Sequence, residues 1–184
     1  MLTDHVDDEP QRLDLRVQRF MRARDHASVQ RAFRIVSLAG TAPVYATATV
    51  MATASLASRV GARRALPVAL APVGAVISHT IIKRLVGRER PPEAIEDGNH
   101  KPSFPSGHTT RATAVSLTIG YALMRQGLAS RDVAVPVAVA IPLLVGVSRA
   151  YTHRHWSTDV LAGWSLGLIV AALSASWMEG MGDE

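Results

Sequence analysis

The sequence predicts an all-α, polytopic membrane helix bundle with about five transmembrane helices and an N-terminal amphipathic helix. Three observations carry this. Charge-free apolar runs alternate with short charged loops along 184 residues that are 48% hydrophobic. Arginines gather at the ends of those runs, where a membrane protein keeps its cations. Small residues (Ala, Gly, Ser, Thr) crowd the runs, which suits helices that approach closely in lipid. A soluble helical domain is the competing architecture, but five such runs are hard to bury in one small core.

The elements follow in chain order. Met1-Leu2-Thr3-Asp4-His5 is polar and acidic, unlike the basic-then-apolar pattern of a cleavable leader. Asp7-Asp8-Glu9-Pro10 reads as a helix start, with acids and an early proline at the positive end. Leu13, Val17, Phe20 and Met21 then recur at helical spacing. Arg12, Arg16, Arg19 and Arg22 occupy the other faces. Such a helix lies in the membrane interface or packs on the domain as a surface helix. Its narrow apolar stripe leaves both open. Residues 1–32 form this segment, 33–178 the membrane domain and 179–184 a polar tail.

The apolar runs are Ile35–Ser58, Ala65–Ile82, Ala112–Met124, Val133–Ser148 and Val160–Met178. A spanning helix needs about 20 apolar residues, within roughly 17–25. The first, second and fifth qualify. The third and fourth are shorter and are placed inside the bundle.

Composition excludes several function classes. There is no cysteine, so disulfides, thiolate catalysis and cysteine-ligated zinc are ruled out. A net charge of +5 would suit nucleic acid. The arginines flank apolar runs, however, and the aromatics are too few and scattered to stack bases. No nucleic-acid partner is expected. Of the twenty basic residues only Lys83 and Lys101 are lysine, which marks Lys83 as a place where lysine itself is wanted.

Three motifs lie at the ends of the runs. They are Lys83-Arg84-Leu85-Val86-Gly87-Arg88-Glu89-Arg90-Pro91, then Pro105-Ser106-Gly107-His108, then Ser148-Arg149 with His155 and Asp159 beyond it. If the spans alternate, all three fall on one side of the membrane, and both histidine motifs sit where a helix begins and favours anions. Lys83 and Arg90 are two helical turns apart, so they share a face if the helix runs on to Pro91. Arg149 supplies a third cation, and arginine offers a planar fork to phosphate oxygens. Arg84 and Arg88 read as juxtamembrane anchors. The backbone N–H groups of Ser106 and Gly107, with the serine hydroxyl, form a candidate anion nest, and His108 sits at its lip. His155 and Asp159, four apart, share a face if helical. The carboxylate then sets the ring's tautomer and frees its other nitrogen as nucleophile.

The remaining histidines receive no chemistry. His153 has no acid four residues on, His79, one turn before Lys83, could face the site but is assigned to bundle packing, and His100 belongs to a loop. Two histidines and an aspartate could ligate a metal, but three cations in the same site would repel it. No metal and no cofactor are expected.

The ordered motifs resemble the type 2 phosphatidic acid phosphatase (PAP2) superfamily, which includes membrane lipid phosphatases and soluble haloperoxidases. Every fixed position of its pattern is met between Lys83 and Asp159. The resemblance implies a metal-independent, multi-pass lipid phosphatase of the cell (inner) membrane. His155 would attack phosphorus and form a phosphohistidine, Asp159 would orient it, and His108 would protonate the leaving alkoxide and then activate water. Lys83, Arg90, Ser106, Gly107 and Arg149 would hold the phosphoryl oxygens. The partners implied are the bilayer and a lipid phosphate: a polyprenyl phosphate derivative, phosphatidic acid or phosphatidylglycerol phosphate. Membrane members commonly have six spans with the first motif after the third; here it follows the second. The N-terminal arginines favour a cytoplasmic N-terminus, which would make the catalytic face cytoplasmic, whereas many bacterial relatives work on the outer face. A vanadate-dependent haloperoxidase and a non-catalytic phospholipid-binding protein are the alternatives.

Overall fold

A computed structural model describes residues 8–182. The polar start at residues 1–5, Asp7 of the helix start and the last two residues of the tail lie outside the described residues. Among those described, every regular element is helical: α1 (Asp8–Arg22), α2 (Ala27–Ser37), a 3-10 turn (Leu38–Gly40), α3 (Ala42–Val60), α4 (Ala62–Val86), α5 (Pro92–Glu96), α6 (Gly107–Arg125), α7 (Arg131–Tyr151) and α8 (Ser157–Gly180).

The bundle is apolar outside and small inside. On α4, Leu66, Leu70, Val73, Ile77, Ile81 and Leu85 face outward while Ala65, Ala71 and Ala75 are buried. On α8, Leu161, Leu168, Ile169 and Leu173 face outward, with Gly163, Gly167 and Ala171 inside. Water would penalise such a surface; lipid accepts it, and helix contact then depends on small residues. This is a multi-pass membrane protein.

Among the described residues three helices, α4, α7 and α8, are long and apolar enough to cross a membrane, and a bent pair of segments makes up to four. The five apolar runs read from the sequence correspond to these three helices, the bent pair and α6. The run Ile35–Ser58 is not one helix: Ala27–Gly40 and Ala42–Val60 meet at 47°, with Pro43 restarting the chain in the first turn of α3. The run Ala112–Met124 belongs to α6, which is not apolar enough to count as a span. Its buried Thr109, Thr110, Thr113 and Thr118 are tolerated because α6 is the central helix, packed on α3, α4, α7 and α8. The fourth run, expected inside, is α7, whose leucines and all valines but the buried Val145 face outward.

Two devices set the positions that matter for the site. Gly163 and Gly167 let α8 lie directly on α6. A Cβ at Gly163 would sit 2.9 Å from both the Ser106 carbonyl and Thr109 Cβ, and one at Gly167 would sit 2.5 Å from Thr113 Cβ. The N-termini of α6 and α8 are thereby held side by side. Pro142 inside α7 removes a helical donor. Ser116 Oγ on α6 lies 3.0 Å from the freed Ala138 carbonyl, a repair expected of a polar group in a membrane bundle.

Candidate active site

Lys83 lies in the last turn of α4. Its Nζ donates to the carbonyls of Pro102 at 2.7 Å and Ser103 at 3.0 Å. The helix stops at Val86, because Gly87 takes a left-handed conformation with φ 62°, a common helix ending. The expectation that Lys83 and Arg90 share a helical face is therefore corrected: Arg90 sits in the following loop. Its guanidinium donates to the carbonyls of Lys101 (2.8 Å), Arg154 (2.6 Å) and Pro102 (3.4 Å), and its Nη1 lies 3.2 Å from His155 Nε2.

Ser106 caps the N-terminus of α6, with Gly107 and His108 in its first turn. The anion nest is also corrected. The Ser106 N–H already donates to the Asp159 carbonyl at 2.9 Å. The N–H groups that open α6, from Gly107 onward, are the ones at the helix's positive end. The Ser106 hydroxyl accepts from Thr109 Oγ1 at 2.9 Å.

The loop between α7 and α8 is shaped by His153. It holds φ 53°, the position glycine usually fills after a helix. Its N–H bonds the Ala150 carbonyl at 3.1 Å, and the Arg154 N–H bonds that of Arg149 at 3.0 Å, the paired bonds of a Schellman turn. His153 also lies 3.7 Å from Asp25. The turn aims His155 inward, where its Nδ1 meets Asp159 Oδ2 at 3.3 Å. The pair forms across the start of α8, not along a helix face. Asp159 sits in the first turn, and the same oxygen accepts the Trp156 N–H at 3.0 Å.

His155 is 4% exposed and Asp159 0%. Burial, then the charges of Arg90, Arg149 and Lys83, push the His155 pKa well below its ordinary value. The ring is neutral, with Nδ1–H toward Asp159 and the Nε2 lone pair toward Arg90. Arg149, in the last turn of α7, donates to Ser37 Oγ at 2.8 Å. Its Nε is buried without a partner among the described residues. Arg149 and His108 line one cavity of about 310 Å³ with Arg34, Asn99 and Arg154.

The structure thus gathers all eight sequence-predicted residues at one end of the bundle. His79 packs behind Gly107, with its Nε2 accepting from Arg111 at 3.3 Å. Arg84 and His100 are exposed. Arg88 is not a lipid anchor: it donates to Thr158 Oγ1 (2.6 Å), Asp159 Oδ1 (3.0 Å) and Asp14 Oδ2 (2.6 Å). Sequence reasoning missed Asp14 as well. The available signal was an acid, with Gln18 four residues on, interrupting an otherwise basic helix. Among the described residues, no three of His, Asp and Glu come together as a set able to hold a metal ion.

This helical bundle matches the PAP2 superfamily. The profile of that superfamily matches residues 64–182, and the chain belongs to it. Phosphatidylglycerophosphatase B of Bacillus subtilis (strain 168) is 37% identical over 93 residues, covering 49% of this chain and 46% of that protein. Decaprenylphosphoryl-5-phosphoribose phosphatase of Mycobacterium tuberculosis (strain CDC 1551 / Oshkosh) is 38% identical over 111 residues, covering 56% and 57%. The chain therefore spans about half the length of these relatives. The crystal structure of a transmembrane PAP2 type phosphatidylglycerolphosphate phosphatase from Bacillus subtilis matches with a TM-score of 0.86 and 25% identity, over 94% of this chain and 88% of that one.

Proposed function

We propose that this protein is a lipid phosphatase of the cell membrane, acting on a phosphomonoester or diphosphate through a phosphohistidine. The observation that carries the reading is the environment of His155: Nδ1 on a buried carboxylate, Nε2 facing Arg90, and His108 and Arg149 lining the adjoining cavity. A phosphoryl group entering there meets a neutral nucleophile and several fixed cations, and phosphoryl transfer is catalysed mostly by positioning and charge stabilisation.

His155 Nε2 attacks phosphorus as the bond to the lipid oxygen breaks, and the leaving alkoxide takes from His108 the proton that the phosphate monoanion carried in and passed to that ring. Neutral His108 then removes a proton from water, the hydroxide displaces the phosphoryl group as inorganic phosphate, and His155 is restored. Arg90 hands its Nη1 hydrogen bond from the imidazole to a phosphoryl oxygen. Lys83 has three donors, two of them on carbonyls, and the third serves the phosphate. The unpaired Nε of Arg149, the Ser106 hydroxyl and the Gly107 N–H complete the cradle. The mechanism requires no metal.

The lipid part of the substrate has a matching surface. An apolar groove of about 350 Å³ runs between α3, α6 and α7, from Ala39 and Ala112 near the site to Leu123 at the far end. The eleven helical steps from Ala112 to Leu123 give it a length of about 17 Å, enough for much of an acyl or prenyl chain. The names of the relatives make phosphatidylglycerol phosphate the first substrate to try, with phosphatidic acid and polyprenyl phosphates beside it. The outward-facing leucines argue against a soluble haloperoxidase.

The test is phosphate release from these lipids by detergent-purified protein with EDTA present, beside His155→Ala. Turnover that survives EDTA and disappears in the variant supports the reading. Activity lost to EDTA, or retained in the variant, overturns it. Equal lipid binding by both proteins with turnover in neither would leave a binding protein.

A further inference from the structure

Asp14, on α1, is 1% exposed and saturated with hydrogen bonds. Its Oδ1 accepts from Ser157 Oγ at 2.6 Å and the Thr158 N–H at 2.9 Å. Its Oδ2 accepts from Thr158 Oγ1 and from Arg88 Nη2, both at 2.6 Å. The other arm of the same guanidinium reaches Asp159 Oδ1 at 3.0 Å. The second oxygen of Asp159 meets His155. One continuous chain of contacts thus runs Asp14–Arg88–Asp159–His155, joining α1, the loop after α4 and the start of α8.

The physics favours a positioning role. A fully buried carboxylate is costly unless a cation accompanies it, and Arg88 is the cation bonded to Asp159. An arginine fork is directional, so its aim depends on what holds its other arm, and Asp14 holds it. Burial raises the Asp14 pKa, but the bonds from Ser157, Thr158 and Arg88 outweigh it and keep the group below its ordinary value. Meanwhile Leu13, Leu15 and Phe20 on α1 are 45%, 44% and 53% exposed. The helix therefore turns Asp14 and Gln18 inward while Leu13, Leu15 and Phe20 face out beside its exposed arginines, which an ordinary surface helix does not do.

We propose that Asp14 and Arg88 are positioning residues which together hold Asp159, and through it the His155 ring, making α1 a working part of the catalytic centre. The inference rests on the reading of His155 as nucleophile. It assigns no contact with substrate to either residue.

The test compares steady-state kinetics of full-length protein in detergent for wild type, Asp14→Asn, Arg88→Gln, the double variant, Arg88→Lys, Gln18→Ala and His155→Ala. Hydrogen-bond partners that orient the histidine ligands of metals typically cost about 10–100-fold when removed, and the same scale is expected for orienting a nucleophilic histidine. Asp14→Asn should lower kcat about 10-fold, and Arg88→Gln should reach the upper part of that range, with KM nearly unchanged. The double variant should be no slower than Arg88→Gln, because Asp14 acts through Arg88. Gln18→Ala removes a 3.0 Å bond from α1 to Glu93 without touching the chain of contacts, and should keep the wild-type kcat. A merely structural α1 would make Gln18→Ala and Asp14→Asn behave alike. Should Asp14→Asn not fold, Arg88→Lys carries the test. It keeps a cation beside Asp159 but cannot bond both carboxylates, and should lose about 10-fold in kcat. Wild-type kcat in Asp14→Asn or Arg88→Lys, a change confined to KM, or losses that multiply in the double variant would overturn the inference alone. Absent wild-type turnover, or turnover surviving His155→Ala, would overturn the phosphatase reading and this inference with it.

Discussion

Substituting Gly163 by alanine tests whether the close approach of α6 and α8 builds the site. The added methyl would lie 2.9 Å from the Ser106 carbonyl and from Thr109 Cβ, where ordinary contact begins at 3.4 Å. Neither neighbour can swing away: one is backbone and the other is the root of a side chain. The helices must separate by about 0.5 Å. Gly163 is one turn beyond Asp159, whose carbonyl receives the Ser106 N–H at 2.9 Å, so the gap opens between the two halves of the site. A misplacement of 1 Å costs about 100-fold in rate, so half of that predicts about 10-fold. Overpacking of this kind also costs about 1–3 kcal/mol of stability. Gly167→Ala is harsher, with 2.5 Å to Thr113 Cβ, and should lower the melting temperature further. Gly180→Ala meets nothing within 4 Å and serves as the control. The assay is initial-rate phosphate release together with thermal unfolding in the same detergent. A Gly163→Ala protein with wild-type rate and wild-type melting would refute the argument that this contact sets the site.

Four further perturbations have expected outcomes. Lys83→Met removes a charge and two carbonyl contacts and should lower kcat about 10²–10³-fold; turnover near wild type would remove Lys83 from the site. Because the His155 pKa is depressed, the ring needs no deprotonation near neutral pH. The acid limb that it contributes to kcat/KM should therefore lie below about 6.5. The same shift has a stability sign: below about pH 6.5 the unfolded chain binds a proton that folded His155 refuses, so stability falls as pH drops. His155→Gln should flatten that slope in melts between about pH 5 and 6.5, and an unchanged slope would assign the loss elsewhere. His153→Gly should keep turnover, since His153 supplies a left-handed turn that glycine adopts more easily; a large loss would give its ring a chemical role. Val137→Trp narrows the apolar groove. Excluding even two methylenes costs about 1.6 kcal/mol, so KM for a long-chain lipid phosphate should rise about 10-fold, while a short-chain analogue is unaffected. Equal effects on both lipids would detach the groove from substrate binding.

The architecture was legible where local composition decides it. Uninterrupted apolar runs bounded by charged residues become α4, α7 and α8 because lipid rewards the run as a whole. The motif residues were legible because each lies at a helix end whose geometry depends on a few neighbours. The misreadings have local causes too. Gly87 was the visible stop that ends α4 before Arg90, and Pro43 was the visible restart that splits the first span. The threonines of α6 already marked it as a helix that lipid alone would not hold.

Other features depended on partners far away in sequence. Arg88 reads as an anchor until Asp14, 74 residues earlier, and Asp159, 71 later, close on it. The Ser106 N–H reads as a nest donor until the Asp159 carbonyl takes it. Sequence alone determined that the chain spans a membrane and carries cations, histidines and a carboxylate at matching helix ends, because hydropathy and helix termini are set by neighbours along the chain. Tertiary structure decided which acid meets which cation, which N–H groups remain for an anion, and that the N-terminal helix turns Asp14 toward the site. Hydrogen bonds and buried charges are settled between helices, by where small residues let two of them touch.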